Sequence, residues 1–142
     1  MKRVFNLAKF PYLAANIYNK STSEFWDFPQ TTKTTVFNIG DLKVGIIGLG
    51  TKESIYTSTL KLEELDFKEY IPVVVEESRK MRENQIDIII LVAHIGTLCT
   101  GDHQDLVKLM IRRMKTKQST SCNENDELFK LVKGCPKELW ML

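Results

Sequence analysis

Apolar residues in this chain come in short runs, each closed by glycine, proline or a polar cluster, and the runs alternate between two periods. Residues 1–9 read as the last turns of a helix. "FPYLAANI" then predicts a short buried strand, Tyr12 to Ile17, entered through Pro11. Residues 18–32, "YNKSTSEFWDFPQTT", are polar and aromatic without a period and predict a loop. Two β-rich runs follow, 33–39 and 42–49, on either side of Gly40-Asp41. A two-residue Gly-Asp connection suits a tight hairpin, because glycine adopts the positive φ that such a turn needs. The second run is apolar at almost every position, which predicts a strand covered on both faces, as in layered α/β structure.

Residues 51–71 predict mostly loop. A helix begins near Pro72, which a first turn tolerates, and runs to about Asn84. Val74, Val75, Ser78 and Met81 fall on one face of it, with Glu76, Glu77, Arg79, Lys80 and Glu83 elsewhere. "IDIIILVA" is a second continuous apolar strand. Strand, helix and strand in this order imply a βαβ unit with a right-handed crossover. Further on, Asp102 is placed to cap a helix from 103 to about 116, with Leu106, Val107, Met110, Ile111 and Met114 as its apolar side. Residues 116–126 predict a loop. Asn123 or Asn125 starts a last helix that ends at Gly134, with Pro136 beyond it. No repeat and no low-complexity segment interrupts this order.

At 142 residues the chain has the length of one domain with a real core. A hydrophobic content of 43% and a charged content of 27% are those of an ordinary globular protein. The formal net charge of +2 gives no broad attraction to nucleic acid or to a membrane surface, so nucleic-acid partners are not expected. No stretch of about 18 apolar residues exists, so no membrane span is expected. The N-terminal apolar segment is interrupted by Lys9, Pro11 and Asn16 and makes a poor export signal, which leaves the compartment open. Asn19-Lys20-Ser21 fits the glycosylation sequon, a pattern common by chance. Cys99, Cys122 and Cys135 are scattered, odd in number and free of any C-x-x-C pair, so three free thiols are expected.

Chemistry is concentrated at His94. It follows "IIILVA" directly, at the place where ligands bind in open α/β sheets, beyond the carboxyl end of a strand. Gly96 permits a sharp turn behind it. Imidazole nitrogen is a good ligand for zinc, manganese or iron, which makes His94 a candidate metal ligand; the alternative is a histidine satisfied by a neighbouring carbonyl. Other signals are weaker. Gly45, Gly48 and Gly50 do not have the dinucleotide-binding order, and Thr51 stands where a phosphate loop needs lysine, so these glycines are read as aids to close strand packing. His103 is read as a solvated helix residue, Arg112, Arg113, Lys115 and Lys117 as a wet helix face, and Glu63, Glu64 and Asp66 as a solvated surface.

Taken together, "FPYLAANIYNKST", "VFNIGDLKVGIIGLGTKES" and "IDIIILVAHIG" resemble the calcineurin-like metallophosphoesterases, with the 5′-nucleotidase branch as the nearest match. The resemblance spans about residues 4–102; residues 103–142 form a divergent, helical tail of a single partial domain over 1–142. It implies an incomplete piece of a four-layer α/β/β/α sandwich whose complete domain holds two divalent metal ions, zinc, manganese or iron. His94, within "VAHIG", matches the family's lone histidine after a strand. The family's Asp-x-His, Gly-Asp, Gly-Asn-His-Asp/Glu and Gly-His-x-His/Gln ligand motifs have no counterpart here; Gly40-Asp41 lies in the hairpin instead. The implied function is metal-dependent hydrolysis of phosphate monoesters such as nucleoside 5′-monophosphates, in nucleotide catabolism. One imidazole does not hold two hydrated cations against water, so the metals are not expected to stay on this chain alone. The alternative is a catalytically inactive remnant or an interaction module. Family members are often secreted or exposed on the cell surface. A sheet without its first strands would also leave a bare hydrophobic edge.

Overall fold

The structure, a computed structural model, describes residues 7–53, 63–95, 99–100, 121–122 and 127–136. These fall into two units: residues 7–53, 63–95 and 134–136, and residues 99–100, 121–122 and 127–133. The expected helical turns at 1–9 lie mostly outside the described residues, and Leu7 to Phe10 form a turn and a bend. The expected helix over 103–116 lies wholly outside them, with Asp102, His103, Arg112, Arg113, Lys115 and Lys117.

A three-stranded sheet organises the first unit. β4 (Thr34–Ile39) and β5 (Leu42–Leu49) form the expected antiparallel hairpin, with Ile39 opposite Leu42. Gly40 has φ +60°, the left-handed conformation that the turn demands of it. β7 (Ile88–Ala93) lies parallel to β5 in the register Val44–Ile88 through Leu49–Ala93. The connection between β5 and β7 passes through helix α1 (Tyr70–Glu83), the βαβ order that the sequence implies.

α1 starts at Tyr70, two residues before Pro72, which therefore sits in the first turn where its missing N–H costs nothing. Its buried side is Tyr70, Val73, Val74, Glu77, Ser78 and Met81. Two positions depart from the expected stripe: Val75 is only half-buried, and Glu77 turns inward. Glu77 is tolerated there because Lys80 Nζ donates to its Oε1 at 2.9 Å and Lys33 Nζ lies 3.9 Å away. On the outer side, Arg79–Glu83 and Lys80–Glu76 are i,i+4 ion pairs.

Cross-strand partners share a face of a sheet, so the register sorts every side chain. Gly45, Ile47 and Leu49 face α1. A Cβ at Gly45 would lie 2.6 Å from Met81 Sδ and 3.0 Å from Ile86 Cγ2, so helix and sheet meet closely because this side chain is absent. The other face carries Phe37, Ile39, Leu42, Ile90 and Val92, which are 44–64% exposed. β5 is closely covered on its helix side and, at Val44 and Gly48, on its other side as well, as the sequence predicts, whereas the apolar run of β7 leaves Ile90 and Val92 at the surface. The exposed apolar surface lies on part of one face, at the hairpin end and along β7, where the sequence had suggested an edge.

The segments flanking this sheet hold the main departures. The expected strand from Tyr12 to Ile17 is two strands with different partners. β1 (Tyr12–Leu13) pairs in parallel with β3 (Thr31–Thr32), and β2 (Ile17–Asn19) pairs antiparallel with β6 (Leu65–Phe67). β3 and β6 occupy stretches that the sequence predicts as loop, because their partners lie far away in the chain. A turn at Ala14–Asn16 breaks the run, and Ala15 N donates to Gly48 O at 2.7 Å within it. A side chain at Gly48 would strike Leu13, so this glycine too serves close packing.

In the second unit, β8 (Cys99–Thr100) and β9 (Ser121–Cys122) pair antiparallel, a ribbon the sequence does not announce. Helix α2 spans Glu127–Gly134, starting later than Asn123 or Asn125 but ending at the expected glycine. No described helix is long and apolar enough to cross a membrane.

Candidate functional site

His94 stands immediately after β7, where the sequence places it, and it is exposed. It is neither within a helix nor sealed in the core. Its backbone N–H donates to Leu49 O at 3.1 Å, which extends the β5–β7 ladder by one bond. The imidazole therefore departs from a sheet tip whose backbone is fixed by the neighbouring strand. Because β5 and β7 are parallel, both present carboxyl ends here, as ligand-binding sheet tips do.

Asn16 braces the neighbouring tip. It is fully buried at 0% exposure. Its Nδ2 donates to Gly50 O at 2.9 Å, and Gly50 N donates to its Oδ1 at 2.9 Å, so both backbone groups just beyond β5 are satisfied by one side chain. A longer contact of 3.5 Å reaches Lys68 O, and Lys68 N donates back to Asn16 O at 2.9 Å. Asn16 thereby ties the tip of β5 to the β1–β2 turn and to the segment entering α1. Sequence reasoning used Asn16 only as a break in an apolar run. That was the available signal: a carboxamide among apolar neighbours has to find backbone partners if it is buried.

The other charged candidates behave as surface groups. Glu63 and Glu64 are exposed, and Asp66 is half-exposed in an ion pair with Lys68 at 2.7 Å. The Lys68 ammonium, by hydrogen bond and charge, holds the Asp66 carboxyl below its ordinary range. Among the described residues no group of three or more His, Cys, Asp or Glu is placed to hold a metal ion. A lone exposed imidazole does not make a two-metal centre, so the described residues do not fit one by themselves, and no reaction step is derived through it.

Comparison with known proteins places the chain. No family model matches it. Over 100 residues it is 36% identical to Protein UshA of Salmonella pullorum and 32% identical to 5′-nucleotidase of Vibrio cholerae. Each alignment covers 68% of this chain and 17% of the relative, so the chain spans about a sixth of the length of these relatives. The structure of calcineurin-like phosphoesterase YfkN from Bacillus subtilis superposes with a TM-score of 0.56 at 23% identity, over 90% of this chain and 35% of that one, a likeness of fold. The chain is an incomplete piece of the α/β/β/α sandwich. These 142 residues carry part of a calcineurin-like metallophosphoesterase domain of the 5′-nucleotidase branch.

Proposed function

We propose that this segment serves a metal-dependent phosphoesterase that hydrolyses phosphate monoesters, nucleoside 5′-monophosphates among them, in nucleotide catabolism. In this reading His94 is one metal ligand. The remaining ligands of a pair of divalent ions, zinc, manganese or iron, are not contributed by the described residues. The observation that carries the proposal is the placement of His94: exposed, just past the carboxyl end of β7, and anchored through its backbone to Leu49. The kinship with UshA and with a 5′-nucleotidase supports the substrate class.

A chimera tests it. The matching 100 residues of the Vibrio cholerae 5′-nucleotidase are replaced by the aligned residues of this chain. AMP hydrolysis in the presence of manganese is expected to survive the exchange, and His94→Ala in the chimera is expected to lower it by at least about 100-fold. A chimera that hydrolyses AMP equally well with alanine at 94 would remove His94 from the site.

A second reading, a catalytically inactive remnant or interaction module, is favoured by the lack of a three-ligand group among the described residues. The isolated chain distinguishes incompleteness from competence. It is expected to show no metal-dependent hydrolysis of AMP or p-nitrophenyl phosphate, and manganese-stimulated turnover abolished by His94→Ala would refute both the remnant and the claim of incompleteness.

A further inference from the structure

Beyond Ile47, β5 loses the strand on one of its sides. β4 pairs with it only as far as Thr34–Ile47, so the backbone groups of Gly48 and Gly50 that point that way have no β4 residue to meet. The turn at Ala14–Asn16 takes its place. Ala15 N donates to Gly48 O at 2.7 Å, and the Asn16 carboxamide bonds both the N–H and the C=O of Gly50, each at 2.9 Å. On the opposite side of β5, Leu49 O accepts the backbone N–H of His94 at 3.1 Å. The Leu49 C=O and the Gly50 N–H belong to one planar peptide, and in a trans peptide these groups point in opposite directions. A single rigid unit therefore stands between Asn16 Oδ1 on one side and the His94 backbone on the other.

We propose that Asn16 is a positioning residue for His94: its carboxamide fixes the Leu49–Gly50 peptide, and that peptide fixes the point at which His94 leaves the sheet. Among the described residues the His94–Leu49 bond closes the β5–β7 ladder, one step past the Leu49–Ala93 pair. A closing rung opens more cheaply than an interior one, so its hold depends on how still its acceptor is. With Asn16 present, the peptide is bonded on both sides. Donation by Gly50 N–H also polarises the peptide and makes Leu49 O a better acceptor for His94. Without Asn16 the peptide keeps the His94 bond alone and is free to rock about the strand axis. Asn16 is fully buried and His94 is exposed, so a group anchored in the interior sets the place of a group in water. The consequence for catalysis rests on the reading of His94 as a metal ligand; the mechanical link does not.

Nuclear magnetic resonance of the full, isotopically labelled chain tests the link. In the wild type, couplings across hydrogen bonds should join the His94 nitrogen to the Leu49 carbonyl carbon and the Gly50 nitrogen to the Asn16 carboxamide carbon. Absence of either would overturn the proposal with no substitution made. Asn16→Ala is expected to shift the His94 amide proton upfield, to displace its ring signals, and to speed exchange of that amide at least about fivefold, the worth of one hydrogen bond. The amide of Ser78, in the middle of α1, should keep its shift. These signals belong to the folded molecule, so a mere loss of global stability does not displace them. Asn16→Asp at about pH 4 carries a neutral carboxyl that accepts from Gly50 N–H and donates to Gly50 O, and it should return the His94 signals to their wild-type positions.

A chimera whose exchanged segment carries both Asn16 and His94 reads the consequence. Asn16→Ala should raise the manganese concentration for half-maximal AMP hydrolysis about tenfold, with less than about threefold change in the rate at saturating manganese. Unmoved His94 signals in Asn16→Ala, signals still displaced in Asn16→Asp at about pH 4, or an unchanged half-maximal concentration in a chimera that needs His94 would each overturn the proposal. Hydrolysis indifferent to His94→Ala would instead remove the phosphoesterase reading of His94, and the spectra of the chain alone would still decide whether Asn16 positions it.

Discussion

Asn16→Ala is the substitution that most directly probes how the sheet tip is built. The wild-type carboxamide makes two hydrogen bonds of 2.9 Å, one to each backbone group of Gly50. Its 3.5 Å contact with Lys68 O is long enough to count for little. Each short bond contributes about 1 kcal/mol net, and a buried partner left unsatisfied costs about 1–3 kcal/mol. Asn16 is fully buried but Gly50 is only half-buried, so water reaches part of what the side chain abandons. The expected loss is therefore about 3 kcal/mol, which includes a small cavity term. With a urea slope of about 2 kcal/mol per M, the unfolding midpoint moves down by about 1.5 M. Urea titration followed by far-ultraviolet circular dichroism reads this directly. Asn16→Asp sharpens the test. At neutral pH its carboxylate keeps the bond from Gly50 N–H but faces two carbonyl oxygens with a buried charge. Its folded-state pKa is raised above the unfolded value, so the variant is most stable when protonated and loses stability as pH rises through the carboxyl range. A midpoint that moves by less than about 0.25 M in Asn16→Ala, which is about 0.5 kcal/mol, would show that the tip of β5 stands without this brace.

Glycines 45 and 48 are expected to differ sharply when changed to alanine. At Gly45 the new methyl meets the flexible thioether of Met81, whereas at Gly48 it meets the backbone of Leu13, with the carbonyl oxygen 2.8 Å away. Thermal unfolding should show a cost of about 1 kcal/mol at 45 and about 3 kcal/mol or more at 48, and the reverse order would contradict the packing described. Ile39→Lys, at a residue 64% exposed on the bare face, should change stability by less than about 0.5 kcal/mol while lowering the fluorescence of a bound apolar dye; unchanged dye binding would mean that this face is not bare in solution. The Asp66 carboxyl is held down first by its hydrogen bond from Lys68, and Glu76 first by its hydrogen bond from Lys80. Depressed folded-state values contribute stability above the ordinary values of 3.8 and 4.5 that is lost as pH falls below them. Lys80, raised first by its hydrogen bond with Glu76, contributes below its ordinary 10.5, and that is lost as pH rises past it. All three groups are largely solvated, so these acid and alkaline losses should be small and should shrink further in 1 M salt, about a tenfold rise over ordinary buffer; losses insensitive to salt would contradict the assignment.

What the sequence revealed and what it hid divide along the distance between partners. β4, β5 and their turn were legible because hairpin pairing is local and Gly40-Asp41 marks it. α1 and β7 were legible because their apolar periods run uninterrupted. The pairs β1–β3, β2–β6 and β8–β9 were not, since each consists of two or three residues whose partner is remote, and no local pattern encodes a remote partner. Glu77 was misplaced for the same reason: the lysines that let it turn inward are Lys80 on its own helix and Lys33 from the approach to β4. His94 was legible as a position, because a histidine ending an aliphatic strand is a local feature. Its proposed role as a metal ligand was not, because a metal centre takes several ligands and the sequence of one strand tip shows a single candidate.

The exposed apolar residues of the sheet and the solitary His94 find one explanation if the chain is part of a larger sandwich. Phe37, Ile39, Leu42, Ile90 and Val92 each keep roughly half of their surface in water. At about 1 kcal/mol of unrealised burial per side chain, the face withholds about 5 kcal/mol, comparable with the whole stability of a small domain. The helix side of the same sheet is packed closely enough that a single methyl at Gly45 would collide with Met81. Val36 on the helix side is 47% exposed and Val44 on the other side only 6%, so each face is covered in part. If His94 is a metal ligand, as proposed, covering these exposed residues should raise stability and metal affinity together, whereas an interaction module that had adapted to the exposed face would gain stability on covering without gaining any affinity for metal.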